Sequence, residues 1–285
     1  MAEHMVEADG VELCTESFGD PSDPAVLLIM GTGASMLWWE EGFCRLLAGG
    51  GRFVIRYDHR DTGRSTTYRP GRPGYTGADL VGDAARVLDA HGIPAAHLVG
   101  VSAGGAFAQL LALEDPGRVR SLVLISTSCA VPGARGLPPP TDEFMRFVSA
   151  APVGRPDADA EIDHRVAQER VLAGGRRPFD EAAARSLVRR DVERAHDFAA
   201  ARNHDALPDG GLPDAPLSGI AVPTLVIHGT ADPLFPLRHG RVLAELIPGA
   251  RLLTLEDAGH GVARADWATI VAAILDHTAA PGRPG

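Results

Sequence analysis

Residues 97–114 read HLVGVSAGGAFAQLLALE, and this segment carries the most informative signal for the fold class. Its opening is apolar enough for a buried strand, and the residues after the serine have the composition of a helix. Between the two lies a G-x-S-x-G pattern, from Gly100 to Gly104. The bare pattern arises by chance in glycine-rich chains, but a strand before it and a helix after it predict a tight turn that holds the Ser102 hydroxyl above a sheet.

Short apolar runs recur along the rest of the chain, each typical of a buried strand. They are AVLLIM from Ala25, RFVIRY from Arg52, SLVLIS from Ser121, PTLVIHG from Pro223 and RLLTLE from Arg251. Helical patterns lie between the runs, over residues 36–48, 78–91, 103–114, 237–246 and 266–277. Because continuous apolarity is typical of strands covered on both faces, the alternation predicts an α/β fold with a mostly parallel central sheet flanked by helices.

The domain organisation follows from where this alternation holds. Near the N-terminus, Asp9-Gly10 separates two strand-like segments and predicts an antiparallel hairpin. Between residues 131 and 219, Pro-rich patches flank helix-like stretches at 161–172 and 180–202. We therefore expect one α/β core formed by residues 1–130 and 220–280, a helical lid inserted at 131–219, and a disordered tail at 281–285.

Composition excludes several classes of function. The formal net charge of -10 disfavours a nucleic-acid partner, which needs clustered positive charge. The chain contains no lysine, so neither a lysine Schiff base nor a phosphate-binding P-loop lysine is available. Three cysteines far apart in sequence suggest neither a disulfide framework nor a zinc site. No signal sequence or membrane span is evident, so we expect a cytoplasmic protein.

A serine hydroxyl becomes a nucleophile only when a base lies within reach and a third group orients that base. His260 follows the last strand-like run, and Asp232 follows the run before it, so both are expected at the sheet edge that carries Ser102. The chain order serine, aspartate, histidine fits such an arrangement. The loop after SLVLIS offers no carboxylate, and His228, which precedes the aspartate, is interpreted as structural.

Acyl transfer also needs two backbone amides directed at the developing negative charge. Ala103 is predicted to supply one, and Thr32, in the glycine-rich loop after the AVLLIM run, the other. Five residues are candidates for the substrate pocket: Gly33, Trp38, Trp39, His196 and Asn203. The charged segment YDHRDTGRS at 57–65 is interpreted as a loop fixed by charge-assisted hydrogen bonds rather than as a catalytic or metal site.

Taken together, the motifs MGTG, YDHRDTGRS, GVSAGG, PTLVIHGTADPLFP and DAGHG resemble those of the α/β-hydrolase superfamily over nearly the whole chain. Within it, SFGDPSDPAVLLIMG and FVIRYDHRDTGRST are similar to the aclacinomycin methylesterase-like esterases, which remove a methyl ester from an anthracycline-type polyketide. The resemblance implies Ser102, Asp232 and His260 as a catalytic triad, with Thr32 and Ala103 as oxyanion donors. The resemblance is weaker in the predicted lid, residues 131–219.

The sequence thus predicts a serine hydrolase that cleaves a small-molecule carboxylic ester through an acyl-enzyme, without a metal or organic cofactor. The substrate class suggested by the resemblance is a methyl ester of a polyketide-type secondary metabolite. Two alternatives stay open. The same site could act on amides, N-terminal prolines or lactones or perform a cyclisation, or the fold could serve as a ligand-binding receptor without turnover. Nothing in the sequence sets the oligomeric state.

Overall fold

The computed structural model describes residues 3–131, 136–151, 157–208, 210–211, 213 and 215–279. Within them, eight strands form one sheet in the order β1-β2-β4-β3-β5-β6-β7-β8. The strands are β1 (His4–Ala8), β2 (Val11–Phe18), β3 (Ala25–Ile29), β4 (Phe53–Tyr57), β5 (Ala96–Val101), β6 (Val119–Ile125), β7 (Thr224–Gly229) and β8 (Arg251–Leu255). Only the pairings of β2 with β1 and with β4 are antiparallel among the strands described, which confirms the predicted mostly parallel sheet.

The opening hairpin is confirmed as well. Ala8 of β1 faces Val11 of β2, and the two turn residues Asp9 and Gly10 have φ values of 53° and 81°. These left-handed conformations suit Asp and Gly, which tolerate positive φ better than most residues. The hairpin ends the sheet on one side, so the parallel strands occupy its middle and far side.

Eight α-helices occur in the described part of the chain. They are α1 (Glu41–Gly49), α2 (Gly77–Ala90), α3 (Ala103–Glu114), α4 (Asp142–Ser149), α5 (Ala158–Leu172), α6 (Glu181–Arg194), α7 (Arg238–Leu246) and α8 (Trp267–His277). The predictions for α2, α3, α7 and α8 are confirmed to within a residue at each end. A capping box between Thr76 and Asp79 fixes the start of α2, which the apolar periodicity alone left open.

Two predicted helices are each divided in the structure. The segment predicted as one helix over 36–48 is a 3₁₀ helix, Met36–Trp38, followed by α1, because Glu40 is extended with ψ of 144°. The helix predicted over 180–202 ends at Arg194, and a 3₁₀ helix follows at Phe198–Ala206. Helix α4 was not predicted, because its short exposed sequence lacks a buried face.

Helices cover both faces of the sheet and make two apolar layers. Along β3, Leu27 and Ile29 face the layer formed with α2, α3 and α7, whereas Val26 and Leu28 face the layer formed with α1 and α8. All four side chains are fully buried. Each contributes about 1.5–3 kcal/mol through removal of apolar area from water, which is why the parallel strands are continuous apolar runs.

Helices α4, α5 and α6 and the 3₁₀ helix Phe198–Ala206 lie between β6 and β7 in sequence, within the segment 131–219, called the insertion below. Helices α5 and α6 form a separate small core from Ile162, Val166, Val188 and Val192. The predicted tail at 281–285 lies outside the described residues. Among the helices described, none has the length and apolarity needed to cross a bilayer.

Candidate active site

Ser102, the predicted nucleophile, occupies a sharp turn between β5 and α3. Its φ and ψ are 54° and -125°, a conformation that costs a non-glycine residue about 1–3 kcal/mol. Glycine on both sides makes the turn possible. A Cβ at Gly100 would lie 2.3 Å from the carbonyl oxygen of Gly104, and one at Gly104 would lie 2.2 Å from the carbonyl oxygen of Ile29. The G-x-S-x-G pattern is therefore required by the close approach of three backbones.

Asp232 and His260, the predicted acid and base, are in direct contact. Asp232 Oδ2 lies 2.9 Å from His260 Nδ1. The other carboxylate oxygen, Oδ1, accepts the backbone amides of Leu234 at 2.9 Å and Phe235 at 2.8 Å, which fixes the carboxylate at the end of β7. A carboxylate can only accept, so His260 carries its proton on Nδ1 and leaves Nε2 able to take a proton from a hydroxyl.

The loops that carry Ser102 and His260 meet at the end of β6. The amide of Ser102 donates to the carbonyl of Ile125 at 3.0 Å. The amide of Gly261 donates to the hydroxyl of the next residue, Ser126, at 3.2 Å. Both loops are therefore anchored to two consecutive residues of one strand end. The amide of His260 also donates to the carbonyl of Leu172 at 2.8 Å, so α5 of the insertion packs on this loop.

His228 has the structural role predicted for it. Its side chain is fully buried, and Nε2 donates to the carbonyl of Phe235 at 2.6 Å, which braces the turn that carries Asp232. Burial lowers the pKa of His228, and its Nε2 lies 3.5 Å from Asp232 Oδ2, farther than the nitrogen of His260. Asp232 is thus oriented toward His260.

The loop after β3 approaches Ser102 from the opposite side. A Cβ at Gly31 would lie 3.1 Å from Ser102 Cβ, so the loop backbone and the serine are in van der Waals contact. The amides of Thr32 and Ala103, the predicted oxyanion donors, have no acceptor among the described residues. By contrast, the amide of Gly33 donates to His204 Nδ1 at 3.0 Å and is already satisfied.

His204 and Arg165 hold the Gly33 peptide from the insertion. Arg165 Nη2 donates to the Gly33 carbonyl at 3.3 Å. His204 Nε2 donates to the carbonyl of Arg60 at 2.8 Å, which leaves Nδ1 as the acceptor for the Gly33 amide. Burial, together with the nearby His59, lowers the pKa of His204 to about 4, so the acceptor nitrogen is unprotonated at neutral pH.

A second buried imidazole, that of His59, also contacts the loop after β3. His59 Nε2 donates to the carbonyl of Met30 at 2.9 Å, and burial lowers the pKa of His59 to about 4. Its ring packs edge-on against Phe107 and His204. Sequence reasoning missed the roles of His59, His204 and Arg165. The only signal for them is polarity within otherwise buried segments, and it does not say which backbone group each side chain contacts.

Several predicted pocket residues lie elsewhere. Trp39 is only 1% exposed and stacks on Phe43 in the apolar layer beneath the sheet, so the prediction that it walls a pocket is wrong. Trp38 packs against the small core of the insertion. The two differ because the 3₁₀ helix Met36–Trp38 ends between them and turns their side chains to different layers.

His196 and Asn203 are also corrected. His196 Nε2 contacts the carbonyl of Arg64 at 3.1 Å and lines an open groove beside β1 and β2, three strands from β5. Asn203 is 1% exposed, and its side-chain amide is used internally: Nδ2 donates to Asp61 Oδ2 at 2.8 Å, and Oδ1 accepts the Gly71 amide at 2.6 Å. Both residues fix loops, because the insertion folds back on segments far away in sequence.

The charged segment 57–65 has the structural role that the sequence suggested. Asp58 accepts the amides of Met36 at 2.8 Å and Arg64 at 2.9 Å and forms an ion pair with Arg194 at 2.7 Å. Arg60 makes a bidentate pair with Asp83, both bonds at 2.8 Å. These buried bonds fix the loop next to the one that approaches Ser102.

The sheet is mostly parallel, a strained serine turn lies at the end of a central strand, and an aspartate and a histidine follow β7 and β8; this is the arrangement typical of an α/β-hydrolase fold. The family model described as the alpha/beta hydrolase fold matches residues 24–173 and 175–263. The chain belongs to this family.

Relatives match over essentially the full chain. Rhodomycin D methylesterase DauP of Streptomyces sp. strain C5 is 37% identical, covering 98% of this chain and 99% of the relative. Rhodomycin D methylesterase DnrP of Streptomyces peucetius is 35% identical with the same coverage. Among solved structures, the esterase RhEst1 of Rhodococcus sp. ECU1013 superposes with a TM-score of 0.78 at 25% identity, covering 96% of this chain and 97% of that chain.

Proposed function

We propose that this ester hydrolase of the α/β-hydrolase fold works through an acyl-enzyme, with Ser102 as nucleophile, His260 as general base and acid, and Asp232 as the group that orients the imidazole. The observation that carries the proposal is the 2.9 Å contact between Asp232 Oδ2 and His260 Nδ1, on a loop anchored beside the strained Ser102 turn. This contact leaves His260 Nε2 as the basic nitrogen.

In the proposed reaction, Ser102 Oγ bonds to the ester carbonyl carbon while its proton passes to His260 Nε2. The amides of Thr32 and Ala103 donate to the carbonyl oxygen as it becomes negative, and each such donor contributes about 3 kcal/mol to stabilising the transition state. The bond to the alkoxy oxygen then breaks, and His260 returns the proton to the departing alcohol. Water repeats the sequence, releases the acid and restores the serine.

The insertion, 131–219, is proposed as a helical lid over this site. Support comes from α5, which contacts the oxyanion loop at Gly33 and the histidine loop at His260. The proposed substrate class is a methyl ester of a polyketide-type secondary metabolite. The support for that class is the name of the full-length relatives, which are methylesterases of rhodomycin D.

The test uses a fluorophosphonate probe, which bonds covalently to activated serines, followed by intact-mass measurement. The native protein is expected to gain one adduct, Ser102→Ala none, and the control variant Ser149→Ala, altered at an exposed serine of α4, one. Turnover of aromatic methyl esters is expected to disappear in Ser102→Ala alone. An adduct that persists in Ser102→Ala, or faster cleavage of a prolyl amide or lactone than of any methyl ester, would overturn the proposal.

A further inference from the structure

One face of α5 spans the gap between the two loops that flank Ser102. Arg165, Glu169 and Leu172 are spaced four and three residues apart, so their side chains project from the same side of the helix. Arg165 reaches the oxyanion loop, where it donates to the Gly33 carbonyl at 3.3 Å. At the other end, the Leu172 carbonyl accepts the His260 amide at 2.8 Å. Glu169 lies between these two fixed points.

The Glu169 carboxylate differs from the other acidic groups of this region. Glu161 accepts from Arg165 at 2.9 Å and from Arg202 at 3.0 Å, and both of these bonds lie within the insertion. The Glu169 carboxylate has no hydrogen bond or ion pair with any residue in the described part of the chain. Its side chain is partly exposed. Its carboxylate is therefore able to accept a hydrogen bond from another molecule.

The surroundings of this carboxylate are poor in water. Burial raises the pKa of Glu169 to about 7, and the opposing effects of His260 and Arg165 do not offset it. An acidic group that is unpaired, partly withdrawn from water and within the electrostatic influence of the predicted base is costly to the protein. A ligand that supplies a hydrogen bond would reduce this cost, which is a source of binding selectivity.

We propose that Glu169 is a specificity-determining residue that accepts a hydrogen bond from a neutral hydroxyl group of the substrate, close to the scissile ester. This inference rests on the proposed function, because it locates the hydroxyl relative to Ser102 and His260. It narrows the substrate class to hydroxylated esters, phenolic or alcoholic, with the hydroxyl on the side of the carbonyl that faces α5.

A neutral hydroxyl fits better than a protonated amine for an electrostatic reason. His260 becomes positively charged when it takes the proton of Ser102, and Arg165 already brings a permanent cation to the same helix face. A second cation beside the imidazolium would raise the energy of the transition state. A hydroxyl supplies the hydrogen bond without that repulsion, whether Glu169 is ionised or protonated.

The experiment compares matched methyl esters that differ by one group: methyl 3-hydroxybutanoate, methyl butanoate and methyl 3-aminobutanoate, and methyl 3-hydroxy-2-naphthoate against methyl 2-naphthoate. The measured quantity is the ratio of kcat/KM within each set. In the native protein at least one hydroxylated ester is expected to exceed its parent about 5- to 20-fold, as one hydrogen bond to a buried carboxylate allows. Glu169→Leu should bring the ratio near one, and Glu169→Gln, which keeps an acceptor oxygen, should retain part of the preference.

Glu193→Leu, at an exposed position of α6 where the side chain is 61% accessible, is the matched control and should keep the native ratio. Circular dichroism melting confirms that each variant is folded. The inference is overturned if the native ratio survives in Glu169→Leu, if no hydroxylated ester is preferred, or if the amino ester is favoured in a way that depends on Glu169. Failure of the native protein to hydrolyse any ester would instead refute the proposed function, and this inference with it.

Discussion

At the scale of single residues, the candidate site depends on the backbone conformation of Ser102 and on hydrogen bonds that fix the side chains of Asp232 and His260. Ser102 has a φ of 54°, tolerated because Gly100 and Gly104 let three backbones converge beneath it. Asp232 uses one oxygen to hold its own turn and the other to hold His260. An orienting acid of this kind acts by fixing the tautomer of the base, and that role can be tested without changing the shape of the side chain.

Asp232→Asn is expected to lower kcat about 10⁴-fold, because the amide offers a donor where His260 Nδ1 needs an acceptor and so favours the wrong tautomer. Steady-state hydrolysis of a methyl ester measures the effect. Asp257→Asn, at an exposed residue of the same histidine loop with a φ of 57°, should keep activity within about twofold, since Asn also tolerates positive φ. If the two variants behave alike, Asp232 does not orient the base.

At the scale of elements, residues of the insertion hold the loop after β3, which carries the proposed oxyanion donor Thr32. Arg165 on α5 binds the Gly33 carbonyl, His204 in the 3₁₀ helix Phe198–Ala206 binds the Gly33 amide, and Asp191 on α6 accepts from the Ser35 hydroxyl. Both polar groups of Gly33 are thereby engaged, whereas the neighbouring amide of Thr32 has no acceptor among the described residues. The insertion therefore holds this loop in place through side-chain hydrogen bonds.

His204→Phe removes the acceptor for the Gly33 amide while keeping an aromatic ring of similar size. We expect kcat to fall about tenfold with little change in KM, because the loss of both His204 hydrogen bonds, to the Gly33 amide and to the Arg60 carbonyl, lets the Thr32 amide move out of line. The rate of labelling by a fluorophosphonate should fall in parallel. His164→Phe is the control, because that ring stacks on Phe147 and has no hydrogen bond to the loop after β3 among the described residues. A change in KM alone would argue against a positioning role.

At the scale of the whole molecule, buried neutral histidines link stability to pH. Burial lowers the pKa of His59 from its ordinary value of 6.5 to about 4. The unfolded chain therefore binds a proton between these values while the folded chain does not, so stability is lost as pH falls from about 6.5 toward about 4. Above pH 6.5 this imidazole is neutral in both states, and its own contribution to the free energy of unfolding no longer changes with pH.

Urea unfolding at pH 7.5 and pH 5.0 tests this linkage. For His59 alone, the displaced pKa predicts a loss of about 2 kcal/mol between the two pH values. His59→Gln keeps a donor for the Met30 carbonyl but does not titrate. The variant is expected to be less stable at both pH values through altered packing, yet its difference between them should be smaller than the native one by about 2 kcal/mol. An unchanged difference would mean that His59 titrates normally in the folded protein.

Much of the core architecture could be predicted from local sequence, because each parallel strand is an apolar run and each flanking helix has its own pattern. The runs from Ala25 and Ser121 became β3 and β6, and the Asp9-Gly10 hairpin formed where its turn residues indicated. The ends of helices are harder to predict from sequence where a capping residue, rather than the apolar periodicity, determines them. The helix predicted over 180–202 ends at Arg194, where the chain turns so that the His196 amide meets the Gly63 carbonyl.

The α/β class, the tight serine turn, and the aspartate and histidine at neighbouring strand ends could be predicted from local sequence, because each is encoded in a short contiguous motif. The contacts of the insertion depend instead on how the chain packs. Tertiary packing buries Trp39. It also turns Asn203 and His196 toward loop residues Asp61 and Arg64, and sets His204 and Arg165 on the Gly33 peptide. Such contacts join residues more than a hundred positions apart, and their geometry arises from packing that no local pattern records.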